Sequence, residues 1–242
     1  MHIRTDLAEA QRGAWEKIGA AGTWWTGAER VAIAAETRHA LRCPLCAARA
    51  QALSPAMVGG EHATLGALPS AAVEAIHRIR TDPGRIGEAW YRRVLEQGLD
   101  AERYAELLSV VAVTVAVDTF RHALGLDPPP LPTARPGTPR RHRPRGVKPG
   151  PGWGFFLPAE DRDADDPDLY LEHPGPRQRS GANIIASLSA VPQAMMHWWD
   201  LMEAMYQPGP WMREYGREYR AISHAQMEML AARVAALNRC EY

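Results

Sequence analysis

Apolar positions recur every three to four residues along most of this chain, the period of a helix that buries one face. Leu7, Ala10, Ala14 and Ile18 make such a stripe over Asp6–Ala20. Thr23-Trp24-Trp25-Thr26 follows as a loop whose tryptophans pack as lids and whose threonine caps the next helix. That helix is predicted over Gly27–Leu41, and another over Leu45–Leu53 that ends at Ser54-Pro55. Gly59-Gly60-Glu61-His62 reads as a turn, and Pro69–Arg80 as a helix with Ala72, Val73, Ile76 and Ile79 inward. Asp82-Pro83-Gly84 breaks the pattern, Arg85–Gln97 restores it, and Asp100 caps a long helix to Leu124. Val110–Val117 within it is rich in valine, so a buried strand competes there; its helical flanks favour helix.

Asp127–Gly154 is different. Its many prolines and its Arg135, Arg140, Arg141, Arg143, Arg145 and Lys148 predict an extended, solvated linker. Acidic Glu160–Asp168 can lie against it. Helical patterning returns with a cap at Ser180 or Asn183 and a helix over Pro192–Tyr206. The heavy apolar surface there (Met195, Met196, Trp198, Trp199) reads as core or dimer face. A short helix over Pro210–Tyr219 and a last one from Ser223 to Leu237 complete the chain. The fold class expected is all-α, in three parts: 1–126, a linker at 127–180, and 181–242.

Composition narrows the functional classes. With 28 basic and 28 acidic residues the formal charge is zero, against a general nucleic-acid binder. The N-terminus lacks an apolar signal core, and the Leu107–Val117 run is shorter than the roughly 20 residues that span a bilayer. No membrane contact and a cytoplasmic location are therefore expected. In that reducing compartment a close cysteine pair is more often catalytic or metal-binding than a staple.

The chain has three cysteines. Cys43 and Cys46 stand in Arg42-Cys43-Pro44-Leu45-Cys46, and Pro44 suits the first turn of a helix. Both thiols then sit at a helix N-terminus, which favours thiolate, with Arg38 and Arg42 one turn away. Three readings stay open: a dithiol redox centre, half of a zinc site, or two inert buried cysteines. Zinc wants four ligands, and no second Cys or His pair stands at ligand spacing, so no metal or cofactor is expected. Cys240 is not isolated either. Thr26–Cys43 and Ser223–Cys240 align without a gap; each starts with a hydroxyl, carries Ala-Ala eight residues before its cysteine, and ends in Arg-Cys. This reads as one helix-plus-cysteine unit used twice.

The cysteine motif resembles that of the alkylhydroperoxidase AhpD-like proteins, in the carboxymuconolactone decarboxylase-like superfamily. Their signature is Glu, eleven residues, Cys-x-x-Cys and a His four residues on. Gln226–Leu230 with Ala236–Tyr242, Asn183–Pro192 and Asp118–Pro132 also resemble segments of its members. The resemblance implies an AhpD-like all-α fold of two related repeats that often oligomerises. It also implies a dithiol that reduces peroxides and exchanges electrons with a thiol-disulfide donor protein. Departures are specific: the signature glutamate position is Val31 and the histidine position Ala50. Around Cys240 the glutamate is present as Glu228, but the chain ends one residue before a second cysteine, which predicts a truncated or altered second site.

In the mechanism so implied, Cys46 attacks the peroxide and Cys43 closes the disulfide. A proton acceptor is still required. Glu36, seven residues before Cys43, His39, four before it, and His62, folding back from the turn, are the candidates. A decarboxylase-like lyase and a non-catalytic assembly module with a decayed site are the alternatives.

Overall fold

The computed structural model describes residues 3–150, 153–166, 187–207, 211, 214 and 216–238. Among these residues eight α-helices carry nearly all the regular structure: α1 (Thr5–Ile18), α2 (Gly27–His39), α3 (Pro44–Gln51), α4 (Ser70–Thr81), α5 (Glu88–Glu96), α6 (Ala101–Ala123), α7 (Pro192–Met205) and α8 (His224–Leu237). A two-residue antiparallel pair, β1 (Lys148–Pro149) with β2 (Phe155–Phe156), is the one sheet among the described residues. The all-α reading therefore holds. None of the described helices is long and apolar enough to cross a membrane.

The valine run is helical. In α6, Val110, Val113 and Val117 fall on one stripe and are buried against α2, α4 and α7, while Thr114 returns its hydroxyl to the Val110 carbonyl. Packing on all sides outweighs the weak β preference of valine. Ile18, Trp25, Ile33, Ile76, Leu107 and Leu201 complete the core, each burial contributing roughly 1.5–3 kcal/mol. Helix α7 packs on both α1 and α6, so the core runs from the first helices into the late part of the chain.

Local signals set the helix ends. Thr26 closes a full capping box with Glu29 at the start of α2, and Ser223 does the same with Gln226 at the start of α8. The two differ in context: α2 is buried on one face, whereas α8 leaves Met229, Leu230, Val234 and Leu237 exposed. Thr26→Ala is therefore expected to cost about 1 kcal/mol of global stability in urea unfolding. Ser223→Ala frays α8 and leaves the main transition in place.

Arg85, expected within a helix, lies in a 3₁₀ turn, Pro83–Arg85, and α5 begins only at Glu88. The helix expected from Pro210 to Tyr219 is absent at 216–219, which is turn and coil; 210, 212, 213 and 215 and the Ser180/Asn183 cap lie outside the described residues. The proline-rich segment is extended and mostly exposed, as its composition dictates, and it is also strapped to the helices. Trp15 Nε1 donates to the Pro130 carbonyl at 2.8 Å, and Arg38 donates to Pro129. Arg135 and Arg141 donate their backbone N–H groups to Gly19 and Thr23, and Arg143 pairs with Glu102 at 2.6 Å. Gly19 is needed there: a Cβ would stand 2.3 Å from the Thr133 carbonyl oxygen. The acidic segment folds back on it through Lys148–Asp161 and His142–Asp166, both at 2.8 Å.

A buried polar cluster joins α1, α2, α6 and α7. Arg30 faces Glu106 at 3.5 Å, donates to the Lys17 and Ala20 carbonyls, and contacts His197 Nδ1 at 3.1 Å. His197 Nε2 donates to the Ala14 carbonyl at 2.7 Å. Burial above all, then the Arg30 and Lys17 charges against Asp200 and the Ala14 carbonyl, bring His197 down to about 4. The folded state thus takes up this proton later than the unfolded chain, whose histidine titrates near 6.5. The contribution is intact above the unfolded value and is lost as pH falls from about 6.5 to about 4, up to about 3 kcal/mol. Glu106, pushed up by burial, works in the opposite sense. Urea unfolding across that window is expected to show the loss in wild type and a flatter profile in His197→Gln, which keeps a donor toward Ala14.

Candidate functional site

The site begins where α2 ends. After His39 the chain makes one 3₁₀ turn, Ala40–Arg42, and Cys43 turns extended at φ −76° and ψ 119° to become the N-cap of α3. Pro44 at the first helical position fixes the turn at no cost in hydrogen bonds. Cys43 Sγ therefore sits at the mouth of α3, where it accepts the Cys46 backbone N–H, and Cys46 lies one turn in. Both cysteines are free thiols and buried.

Two histidines close on them from other elements. His62 arrives on the loop between α3 and α4. Gly60, at φ +144° and against Leu45, permits the turn that brings it back over α3. His62 Nδ1 is 3.5 Å from Cys43 Sγ and 3.5 Å from Cys46 Sγ. His77 projects from α4, and its Nδ1 is 3.2 Å from Cys46 Sγ. The two rings stack at a tilt, with centroids 4.3 Å apart. The four donor atoms, two sulfurs and two Nδ1, lie within 4.8 Å of one another.

Each histidine is held from behind by a carboxylate. His77 Nε2 is 2.9 Å from Glu36 Oε1, and Glu36 also accepts the Leu65 N–H and the Thr64 hydroxyl. His62 Nε2 is 2.8 Å from Glu74 Oε2, whose carboxylate is also bound by Arg49 and Trp90 Nε1. Carboxylates accept, so both Nε2 atoms carry hydrogen and both Nδ1 atoms are aimed at sulfur.

The electrostatics separate the two histidines. Burial pushes His62 down, but hydrogen bonds to Cys46, Glu74 and Cys43 raise it to about 10. Burial dominates at His77 and lowers it despite Glu36, so that ring stays neutral. Burial raises the Cys43 thiol, and the N–H groups of Cys46 and Ala63 with His62 outweigh it and bring it down to about 7. Burial likewise raises Glu74, which His62, Trp90 and Arg49 pull to about 2. A cleft of about 1130 Å³ opens on this side, with His62, Glu74, Arg49 and Trp90 in its wall. The ring that touches both sulfurs is thus also the ring that faces the cleft.

Of the residues singled out in the sequence, Cys43, Cys46, Glu36 and His62 come together. Glu36 acts through His77 rather than on Cys43 directly. His39 has no hydrogen bond to the cluster and reaches it only through its charge on His77. Glu228 is exposed on α8, bonded to Tyr206 and to His224. Cys240 lies outside the described residues. Arg38, expected to bias the thiols, is engaged with Asp118 at 2.7 Å; Arg49 is the cation beside the site. The ligand count of two, read from spacing, is corrected to a four-donor set by His62 and His77. His77, Glu74 and Arg49 escaped the sequence reading. The available signal was the Glu74–His77 spacing, which puts a carboxylate and an imidazole one turn apart on α4.

No protein-family model, curated protein or solved structure matches the chain.

Proposed function

We propose that this chain is a dithiol oxidoreductase that reduces peroxides through Cys43 and Cys46, on an all-α fold of the AhpD-like kind. The observation that carries the reading is the pairing of each thiol with a histidine whose far nitrogen is held by a carboxylate. His77, with its Nε2 hydrogen directed to Glu36, has Nδ1 free to accept the Cys46 thiol proton. The Cys46 thiolate attacks one peroxide oxygen, the O–O bond breaks, and the departing alkoxide takes the proton back from His77. Cys46 is then a sulfenic acid. The Cys43 thiolate, held by His62 and the mouth of α3, attacks the Cys46 sulfur; the S–O bond breaks and the leaving hydroxide takes a proton from the His62 imidazolium to depart as water. A dithiol donor returns the disulfide to two thiols.

This relay answers the departures from the signature. Val31 and Ala50 stand where glutamate and histidine are expected, and Glu36, His77, Glu74 and His62 supply carboxylate and imidazole from other positions. Two capping boxes at equivalent places, before α2 and before α8, support the reading of α2 and α8 as related repeats.

Peptide mapping tests the first consequence. One equivalent of hydroperoxide converts two titratable thiols of the reduced protein into a Cys43–Cys46 disulfide. Both thiols still free after peroxide exposure sinks the proposal.

A further inference from the structure

We propose that Cys43 Sγ, Cys46 Sγ, His62 Nδ1 and His77 Nδ1 form a four-coordinate Zn²⁺ site that the Cys43–Cys46 disulfide excludes. The exclusion rests on the dithiol reading above; the site itself rests on geometry.

Zinc holds sulfur at about 2.3 Å and imidazole nitrogen at about 2.0–2.1 Å, so tetrahedral ligand atoms stand about 3.3–3.8 Å apart, with sulfur–nitrogen edges near 3.5 Å. The sulfur–nitrogen distances here are 3.5, 3.5 and 3.2 Å. All four atoms lie within 4.8 Å of one another, so closing on the ion needs a contraction of at most about 1.5 Å. Two thiolates and two imidazoles are the donors of a borderline-soft ion, and they disfavour Mg²⁺ and Ca²⁺, which seek oxygen.

The surroundings are those of a metal site. Metal-bound histidine donates its other nitrogen to a carboxylate or carbonyl, which fixes the tautomer and the ring. Both histidines do this, His77 to Glu36 and His62 to Glu74. Glu74 is fixed in turn by Arg49 and Trp90. The donors come from three places: the α2–α3 joint, the loop before α4, and α4 itself. Hydrogen bonding alone does not require both Nδ1 atoms to converge on the Cys46 sulfur with Cys43 Sγ alongside.

The same sulfurs cannot ligate zinc and bond to each other. One hydroperoxide, two zinc-bound thiolates and two protons give the disulfide, one alcohol, one water and free Zn²⁺. The sulfurs lose two electrons, which the O–O bond takes. Zinc therefore protects the dithiol until an oxidant displaces it.

The test uses the full chain, reduced and freed of metal by a chelator. Titration with Zn²⁺ is expected to load one ion per chain, and Co²⁺ in its place to give the visible bands of a tetrahedral thiolate site. Glu74→Gln, which keeps an acceptor for His62, is expected to weaken zinc 10–100-fold with the helical circular dichroism unchanged. Peroxide added to the zinc form is expected to release one Zn²⁺ per disulfide. A reduced wild-type chain with both thiols titratable and no zinc uptake overturns the proposal, as does uptake that prior oxidation leaves unchanged. Stoichiometric zinc in a chain whose metal-free form never forms the disulfide supports the metal site and removes the peroxidase reading instead.

Discussion

Cys46→Ser is expected to lower peroxide consumption by about 10³-fold or more, the scale on which a covalent nucleophile is lost. The argument lies in how the two sulfurs are placed. Of the two cysteines at the site, Cys46 alone is within hydrogen-bonding range of both histidines, and the His77 partner is itself fixed by a buried glutamate. A serine hydroxyl in the same place is a far weaker nucleophile, and its proton does not leave for an imidazole at neutral pH. Cys43→Ser behaves differently. It keeps Cys46 and its relay, so one equivalent of peroxide is consumed and a sulfenic acid accumulates, trappable by a carbon nucleophile. Turnover then stops, because no second thiol closes the disulfide. Stopped-flow consumption with each variant reads both outcomes. Equal rates for wild type and Cys46→Ser remove Cys46 as the attacking atom.

Glu36→Ala is expected to destabilise the fold by about 3–5 kcal/mol, the scale of several orphaned buried donors together with a large-to-small cavity. Glu36 is 1% exposed. Its carboxylate accepts from His77 Nε2, from the Leu65 N–H and from the Thr64 hydroxyl, so one substitution orphans three donors and leaves a void. For a chain of this size the loss corresponds to a drop of about 6–20 °C in the melting midpoint. Glu36→Gln keeps an acceptor at nearly the same volume and is expected to cost clearly less. Urea unfolding of the pair gives the comparison; a Glu36→Ala protein within about 1 kcal/mol of wild type would mean the carboxylate is not a buried anchor.

The sequence was most legible where one local rule decides. Thr26 with Glu29 and Ser223 with Gln226 start their helices as their spacing predicts. Pro44 places the cysteines at a helix mouth for a reason visible in five residues. The proline-rich segment is legible as extended and exposed, but its straps are not, because composition fixes extension and not neighbours; only the fold reveals that the Gly19 and Thr23 carbonyls point at Arg135 and Arg141. At the site, Glu36 and His62 could be named as candidates from proximity along the chain. His77 could not. It lies 31 residues from Cys46 and beside Ile76 on an apolar helix face, where a histidine looks like core. Its partnership is a tertiary fact, created when α4 packs on α3 and α2.

The loop that carries His62 has one more consequence, which lies in chain entropy. A Cys43–Cys46 bond would enclose only Pro44 and Leu45, so forming it restricts the chain very little. The contacts that it replaces span far more: His62 is 16 residues from Cys46 and His77 is 31. Oxidation therefore exchanges long closures for a very short one. The loop keeps its ties to Glu74 and, through Leu65, to Glu36, but loses the sulfurs that held its histidine inward. Since His62 is also part of the cleft wall, the disulfide form proposed above is expected to be looser on the side from which the proposed reductant would reach the bond. On that reading, the bond formed in one turnover would loosen the path by which the next begins.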